Sequence, residues 1–170
     1  DAKPVWSDEY SLYLFDKKMK KMIGKYAYDA KDSSRPFFLY YAVGNTHYPL
    51  QAPEDVLGAL AHGKDAQSRS FQKIPSYNRQ VFAAMTYLVD EAVKNLTYTL
   101  EETNMLDDTF YIVASDNGGN PLETCGASNY PLRGMKGYFW EGGLRVNALL
   151  RSKLIPEHVR GTTYGGIFSV

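Results

Sequence analysis

The chain has almost no cysteine. Cys125 is the single one in 170 residues, which excludes an internal disulfide framework. It sits in Thr124-Cys-Gly-Ala-Ser128 with no histidine close in sequence. It therefore reads as a small free thiol rather than a nucleophile, with a bond to another chain as the alternative. An excess of charge is also missing. Lys plus Arg and Asp plus Glu both number 19, so no global field recruits nucleic acid or an anionic membrane. Long apolar runs are absent as well: stretches such as Phe37 to Val43 fall far short of the roughly 20 residues that cross a bilayer. No signal peptide is visible and the chain begins at Asp1 rather than Met, which fits a processed chain or a fragment.

What is present suffices for a core. Apolar residues make up 44% and charged residues 22% of the chain, ordinary values for a globular protein of about one domain. Ser7, Asp8 and Glu9 look like a helix start, and Leu12, Phe15, Met19, Met22 and Ile23 recur at helical spacing up to a stop at Gly24. Lys17, Lys18, Lys20 and Lys21 form its solvated face. Phe37 to Val43, between Pro36 and Gly44, suits a central strand buried on both faces. A short helix over Glu54 to Leu60 and an exposed polar loop over Gly63 to Tyr77 follow. Val81, Met85, Leu88, Val89, Ala92, Val93, Leu96 and Leu100 make one stripe of a long amphipathic helix over Asn78 to Asn104. Thr109 to Ser115 reads as a second buried strand. Gly118 to Gly143 is long and glycine-rich, and Leu144 to Leu150 is a candidate third strand. Helices alternating with strands point to an α/β fold, a mostly parallel or mixed sheet flanked by helices. Ligands in such sheets sit beyond the carboxyl ends of the strands.

Three clusters could carry chemistry at that edge. Asp116 and Asn117 end the second strand with a carboxylate and an amide oxygen, hard ligands for Ca²⁺ or Mg²⁺, followed by Gly118 and Gly119. Taken alone, Asp-Asn-Gly-Gly is a strand-ending turn. His47 follows the first strand, where a histidine is either a plain surface residue or a proton-transfer and anion-binding group. Arg133, Lys136 and Arg145 lie among glycines that let an anion approach; the alternative is a basic surface loop over Tyr138, Phe139 and Trp140. Asn95-Leu-Thr97 is a glycosylation sequon, which requires an exposed Asn95 side chain and a secretory compartment.

The stretches PFFLYYAVGNTHYPLQAPED, VDEAVKNLT, DDTFYIVASDNGGNP and NYPLRGMKGYFWEGGLRV resemble, in order and spacing, the sulfatase family, in its arylsulfatase B-like branch. The resemblance runs from about Ser7 to Ile155. It implies an alkaline-phosphatase-like fold and hydrolysis of sulfate esters. By that resemblance Asp116 and Asn117 ligate Ca²⁺, Lys136 contacts the substrate sulfate, and His47 contacts the sulfate and assists the leaving group. A glycosaminoglycan sulfate becomes the expected substrate class, and a secreted or lysosomal location, with glycosylation at Asn95, the expected setting. Sulfatases use a formylglycine made in a Cys-x-Pro-Ser-Arg motif, which these 170 residues lack. The family's early Asp-Asp metal pair is lacking too. Residues 1–170 are therefore expected to be the central to C-terminal part of a catalytic domain, inactive alone. An N-terminal sulfatase segment or another chain would supply the nucleophile. A non-catalytic, sulfatase-derived binding protein is the alternative, and a related phosphatase a third reading.

Overall fold

A computed structural model describes residues 9–29 and 36–167. Ser7 and Asp8, proposed above to open the first helix, lie outside the described residues.

The first helix, α1 (Ser11–Asp29), does not stop at Gly24 but runs through it. A Cβ built on Gly24 would meet nothing within 4 Å. Gly24→Ala is therefore expected to raise stability by about 0.5–1 kcal/mol, through helix propensity and a less flexible unfolded chain. A rise in the urea midpoint checks this; a drop would mean that the helix needs the glycine. The buried positions of α1 are Leu12, Asp16, Met19 and Ile23. Phe15 and Met22, assigned to the core by spacing, are instead exposed, and the carboxylate of Asp16 takes the inward position.

Two short helices follow, α2 (Glu54–His62) and α3 (Ala66–Phe71). The second corrects the expected open loop over Gly63 to Tyr77. Its cause is local: Asp65 caps the helix by accepting from Ser68 N at 2.8 Å, and Ser68 Oγ donates to Asp65 Oδ2 at 3.0 Å. Phe71 then reaches inward to pack with Leu60 and Ala84. The long helix α4 (Tyr77–Glu102), capped by Ser76, buries Val81, Ala84, Met85, Leu88, Ala92, Thr99 and Leu100, close to the expected stripe.

Helices α1 and α4 pack together around two apolar clusters. Leu12, Leu88 and Ala92 form one, and Met19, Ile23 and Leu100 the other. Each of these larger side chains contributes about 1.5–3 kcal/mol by leaving water. Phe37, Leu39, Tyr41 and Val43 lay one face of their segment against these clusters, while Phe38 and Tyr40 are 89% and 80% exposed. The expected burial of this segment on both faces is thus corrected to one face. Strand β1 (Tyr111–Ala114) pairs antiparallel with β2 (Ala148–Arg151), Ile112 opposite Leu150 and Val113 opposite Leu149. Among the described residues this is the one strand pair. The parallel or mixed sheet expected from the sequence is therefore not what these residues form. The third strand starts later than expected because Glu141–Leu144 is a short helix, α5.

Between α1, α4 and the Phe37 segment lies a polar spot. Asp16 Oδ2 accepts from Asn95 Nδ2 at 3.0 Å and pairs with Lys20 Nζ at 3.0 Å. Asp16 Oδ1 and the Tyr41 hydroxyl are buried without a partner among the described residues. Burial, reinforced by the Asp16 carboxylate, pushes the Tyr41 phenol from 10.0 up to about 12. Below pH 10 the phenol is protonated in folded and unfolded chain alike. Between 10 and 12 only the unfolded chain ionises, so stability falls as pH rises through that window. The urea midpoint should drop from about pH 9 to about pH 11, and Tyr41→Phe should reduce that drop. An equal drop in the variant would clear Tyr41 of the effect.

Candidate functional site

His47 sits on the loop that follows the Phe37 segment, and this loop is anchored from both sides. Asn45 Nδ2 donates to the Met85 carbonyl of α4 at 3.0 Å. The Tyr10 hydroxyl lies 3.2 Å from Asn45 Oδ1 and 2.9 Å from the Gln51 carbonyl oxygen. The histidine itself is exposed, with Nδ1 2.7 Å from the Tyr48 carbonyl oxygen. A carbonyl can only accept, so Nδ1 carries the hydrogen and donates it. Nε2 then presents its lone pair to Lys136 Nζ, 3.1 Å away and 89 positions along the chain. The two residues singled out in separate clusters are in direct contact.

The glycine-rich segment is folded onto itself to bring Lys136 there. Gly118 N donates to the Gly143 carbonyl at 2.9 Å, Gly142 N to the Arg133 carbonyl at 2.7 Å, and Lys136 N to the Gly119 carbonyl at 3.2 Å. Asn129 fastens the assembly: its Oδ1 accepts from Gly119 N at 2.8 Å, and its Nδ2 donates to the Gly119 and Gly134 carbonyls at 2.8 and 3.1 Å. Nothing in the sequence reading gave Asn129 a role, although asparagine in a glycine-rich loop is a familiar backbone-bonding residue. Its signal was position, just before Tyr-Pro-Leu-Arg-Gly.

Asp116 is exposed and makes no hydrogen bond or ion pair among the described residues. Asn117 turns Nδ2 onto the Gly118 carbonyl at 3.0 Å, which leaves its Oδ1 as an open acceptor. The pair therefore offers two hard oxygens, the donor chemistry that suits Ca²⁺. Among the described residues no group of three or more His, Cys, Asp or Glu side chains could hold a metal. Two oxygens fall short of the roughly six to eight that such an ion takes.

The other basic residues of the loop do not join Lys136. The Arg133 guanidinium stacks over Trp140 at 3.8 Å from the ring centroid, and Arg145 pairs with Glu141 at 3.6 Å. Cys125 is a free, half-buried thiol. Asn95 is half-buried on α4, and its Nδ2, the atom to which a glycan is attached, is the one bonded to Asp16. The exposed side chain required by the sequon is not what this fold presents. A cleft of about 610 Å³, lined by Leu60, Phe71, Ile74, Ala83 and Tyr87 among others, lies on the helical side and includes none of the candidate residues. The candidate site is instead an open surface.

The fold thus brings a histidine and a lysine into contact across 89 positions and carries an Asp-Asn pair just ahead of the glycine-rich segment that holds the lysine. Comparison with known proteins gives the family. The sulfatase family model matches residues 3–165, and the chain belongs to the sulfatase family. Arylsulfatase J of Mus musculus is 34% identical over 148 residues, covering 87% of this chain and 22% of its own length. Arylsulfatase A of Homo sapiens is 33% identical over 122 residues, 71% of this chain and 21% of its own. The human N-acetylgalactosamine-6-sulfatase is 29% identical over 116 residues, 67% of this chain and 19% of its own. The crystal structure of Ps i-CgsB in complex with k-i-k-neocarrahexaose superposes with a TM-score of 0.75 at 31% identity, over 94% of this chain and 31% of that one. The chain thus spans about a fifth of the length of these curated relatives and a third of that structure. Its relatives are sulfuric ester hydrolases, and membership of the family implies the alkaline-phosphatase-like fold. No helix of the described residues is long and apolar enough to cross a membrane.

Proposed function

We propose that residues 1–170 form one part of a sulfatase catalytic domain that hydrolyses sulfate esters, with the nucleophile supplied from outside them. The observation that carries this reading is the contact of Lys136 Nζ with His47 Nε2 at 3.1 Å. It places two nitrogen groups where they can face the oxygens of one sulfate. With Nδ1–H held by the Tyr48 carbonyl, Nε2 is the nitrogen that takes a proton from Lys136 Nζ, its neighbour at 3.1 Å, and passes it to a departing alkoxide. Lys136 offsets the negative charge of the sulfate oxygens. Asp116 and Asn117 would hold Ca²⁺ together with oxygens from the remainder of the domain, and the chemistry such a cation would supply is positive charge against the sulfate oxygens. The glycosaminoglycan class is the substrate this reading favours, and the secretory pathway the location, both by analogy with the arylsulfatases.

The test compares purified residues 1–170 with the assembled protein that contains them, on an aryl sulfate and the matching aryl phosphate. The expected result is no turnover by residues 1–170 alone and faster cleavage of the sulfate by the assembly. Turnover by residues 1–170 alone would refute the division of the site. Faster cleavage of the phosphate would refute the sulfatase reading. An inert assembly would favour a binding role instead.

A further inference from the structure

The loop that carries His47 has little structure of its own. Among the described residues, the one backbone hydrogen bond touching residues 44–52 runs from His47 N to the Gly44 carbonyl at 3.2 Å. Side chains hold the loop instead, and a single phenol joins its two limbs. The Tyr10 hydroxyl, just ahead of α1, lies 3.2 Å from Asn45 Oδ1, before His47, and 2.9 Å from the Gln51 carbonyl oxygen, after it. The donor follows from the partners. Asn45 Nδ2 faces the Met85 carbonyl at 3.0 Å, which can only accept, so Oδ1 is the atom turned to Tyr10. Both of Tyr10's partners are then acceptors, and its one O–H is shared between them. Burial raises the Tyr10 phenol above its ordinary 10.0, which keeps that hydrogen in place at neutral pH. The ring itself is fixed edge-on to Tyr13, centroids 5.5 Å apart, and against the cluster of Leu12, Leu88 and Ala92.

We propose that Tyr10 is a positioning residue for His47, clamping its loop so that the ring keeps its hydrogen on Nδ1. Tyr48, whose carbonyl accepts that hydrogen at 2.7 Å, lies between the two clamped points. The bond made by one ring nitrogen sets the state of the other, so the clamp leaves Nε2 as a lone pair facing Lys136 Nζ at 3.1 Å. With the clamp removed, the Tyr48 carbonyl is free to turn away and the hydrogen redistributes toward Nε2. A neutral ring protonated there meets the Lys136 ammonium donor to donor and cannot take its proton. Tyr10 touches neither His47 nor Lys136 in this scheme; it acts through the loop. The proposal rests on the reading of His47 as the group that passes a proton to the leaving alkoxide. It adds what selects the nitrogen that does so.

Two readouts on the assembled protein that contains residues 1–170 test it. Histidine labelled with ¹⁵N reports the tautomer of His47, its signals identified by their loss in His47→Ala. The parent should show the neutral ring protonated on Nδ1, and Tyr10→Phe should move a large share of that hydrogen to Nε2. The second readout is turnover of two aryl sulfates. Phenyl sulfate has a basic leaving group that needs a proton, and 4-nitrophenyl sulfate one that does not. Tyr10→Phe should lower kcat for phenyl sulfate about 10-fold or more, with KM within about twofold, and change kcat for 4-nitrophenyl sulfate by less than about twofold. Tyr10→Phe keeps the ring that packs on the core, and Asn45→Ala, which opens the same clamp from the loop side, should reproduce both changes. Tyr13→Phe takes a hydroxyl from the neighbouring ring and should reproduce neither. A parent ring protonated on Nε2, or a tautomer unmoved in Tyr10→Phe, would overturn the proposal. So would equal losses on the two sulfates, the mark of a merely structural residue, or a Tyr13→Phe chain that behaves like Tyr10→Phe. The tautomer readout needs no turnover, so it decides the clamp even in an inert assembly. A shifted tautomer with both sulfates cleaved as before would leave the clamp standing and count against the proton transfer assigned to His47.

Discussion

Gly118→Ala is expected to dismantle the loop cluster that carries Asn117 and Lys136, at a cost near the top of the usual overpacking range, about 3 kcal/mol. A Cβ on Gly118 would overlap the Gly142 carbonyl oxygen and press on the Gly142 carbonyl carbon and the Gly143 Cα. All three atoms are backbone, so no rotamer change can relieve the overlap. The same crossing holds the bond from Gly118 N to the Gly143 carbonyl, which would be lost with it. A useful contrast is Gly137→Ala. Gly137 has φ +86° with nothing within 4 Å of a built Cβ, so the cost there is conformational strain alone, about 1–2 kcal/mol. Urea unfolding of the two variants separates a steric crossing from a strained turn. A Gly118→Ala chain within about 0.5 kcal/mol of the parent would show that the two glycine stretches do not cross as described.

The second large effect is expected at Asn129. Removing its amide deletes three hydrogen bonds at once, to Gly119 N, the Gly119 carbonyl and the Gly134 carbonyl. At about 0.5–1.5 kcal/mol each, Asn129→Ala should lose about 2–4 kcal/mol. Asn129→Asp keeps the acceptor for Gly119 N but not the donors, and should fall between. The His47 loop has its own anchors at Tyr10 and Met85, so it should stay in place while Lys136 loosens. Exchange at the Gly119 amide and the ring resonances of His47 would follow the two halves separately. Unchanged Gly119 protection in Asn129→Ala would mean that the backbone bonds alone hold the loop.

Much of this arrangement was legible in the sequence, for physical reasons that differ by element. Helix α4 announced itself because its stripe repeats over many turns, and one misplaced residue cannot hide such a period. Helix α1 was found but its inner face was misjudged, because Asp16 is inward and Phe15 outward, the reverse of what hydrophobicity favours. An acid can sit inside there because Lys20, one turn along the same helix, and Asn95, 79 positions away and invisible to a local pattern, share its charge. Helix α3 escaped because it is short and mostly polar; the cap formed by Asp65 and Ser68 was its only local sign. The run at Phe37 alternates in burial as a strand does, but among the described residues it pairs with no strand, and helices α1 and α4 cover only one of its faces. At the site, His47 and Lys136 were each visible by residue type. Their contact was not, since it depends on how a glycine-rich loop folds across 89 positions. Asn129 was overlooked because a residue that bonds only to backbone carries no chemical signature of its own.

The bond between Asn95 and Asp16 bears on what a sugar at this sequon would do. A glycosylated amide keeps one N–H, so an oligosaccharide on Asn95 would not by itself remove the bond from Nδ2 to Asp16. What opposes it is space, since Asn95 is half-buried where α4 meets Asp16 of α1. A sugar on that nitrogen would have to find room between two helices that now close on it, and so would hold them apart.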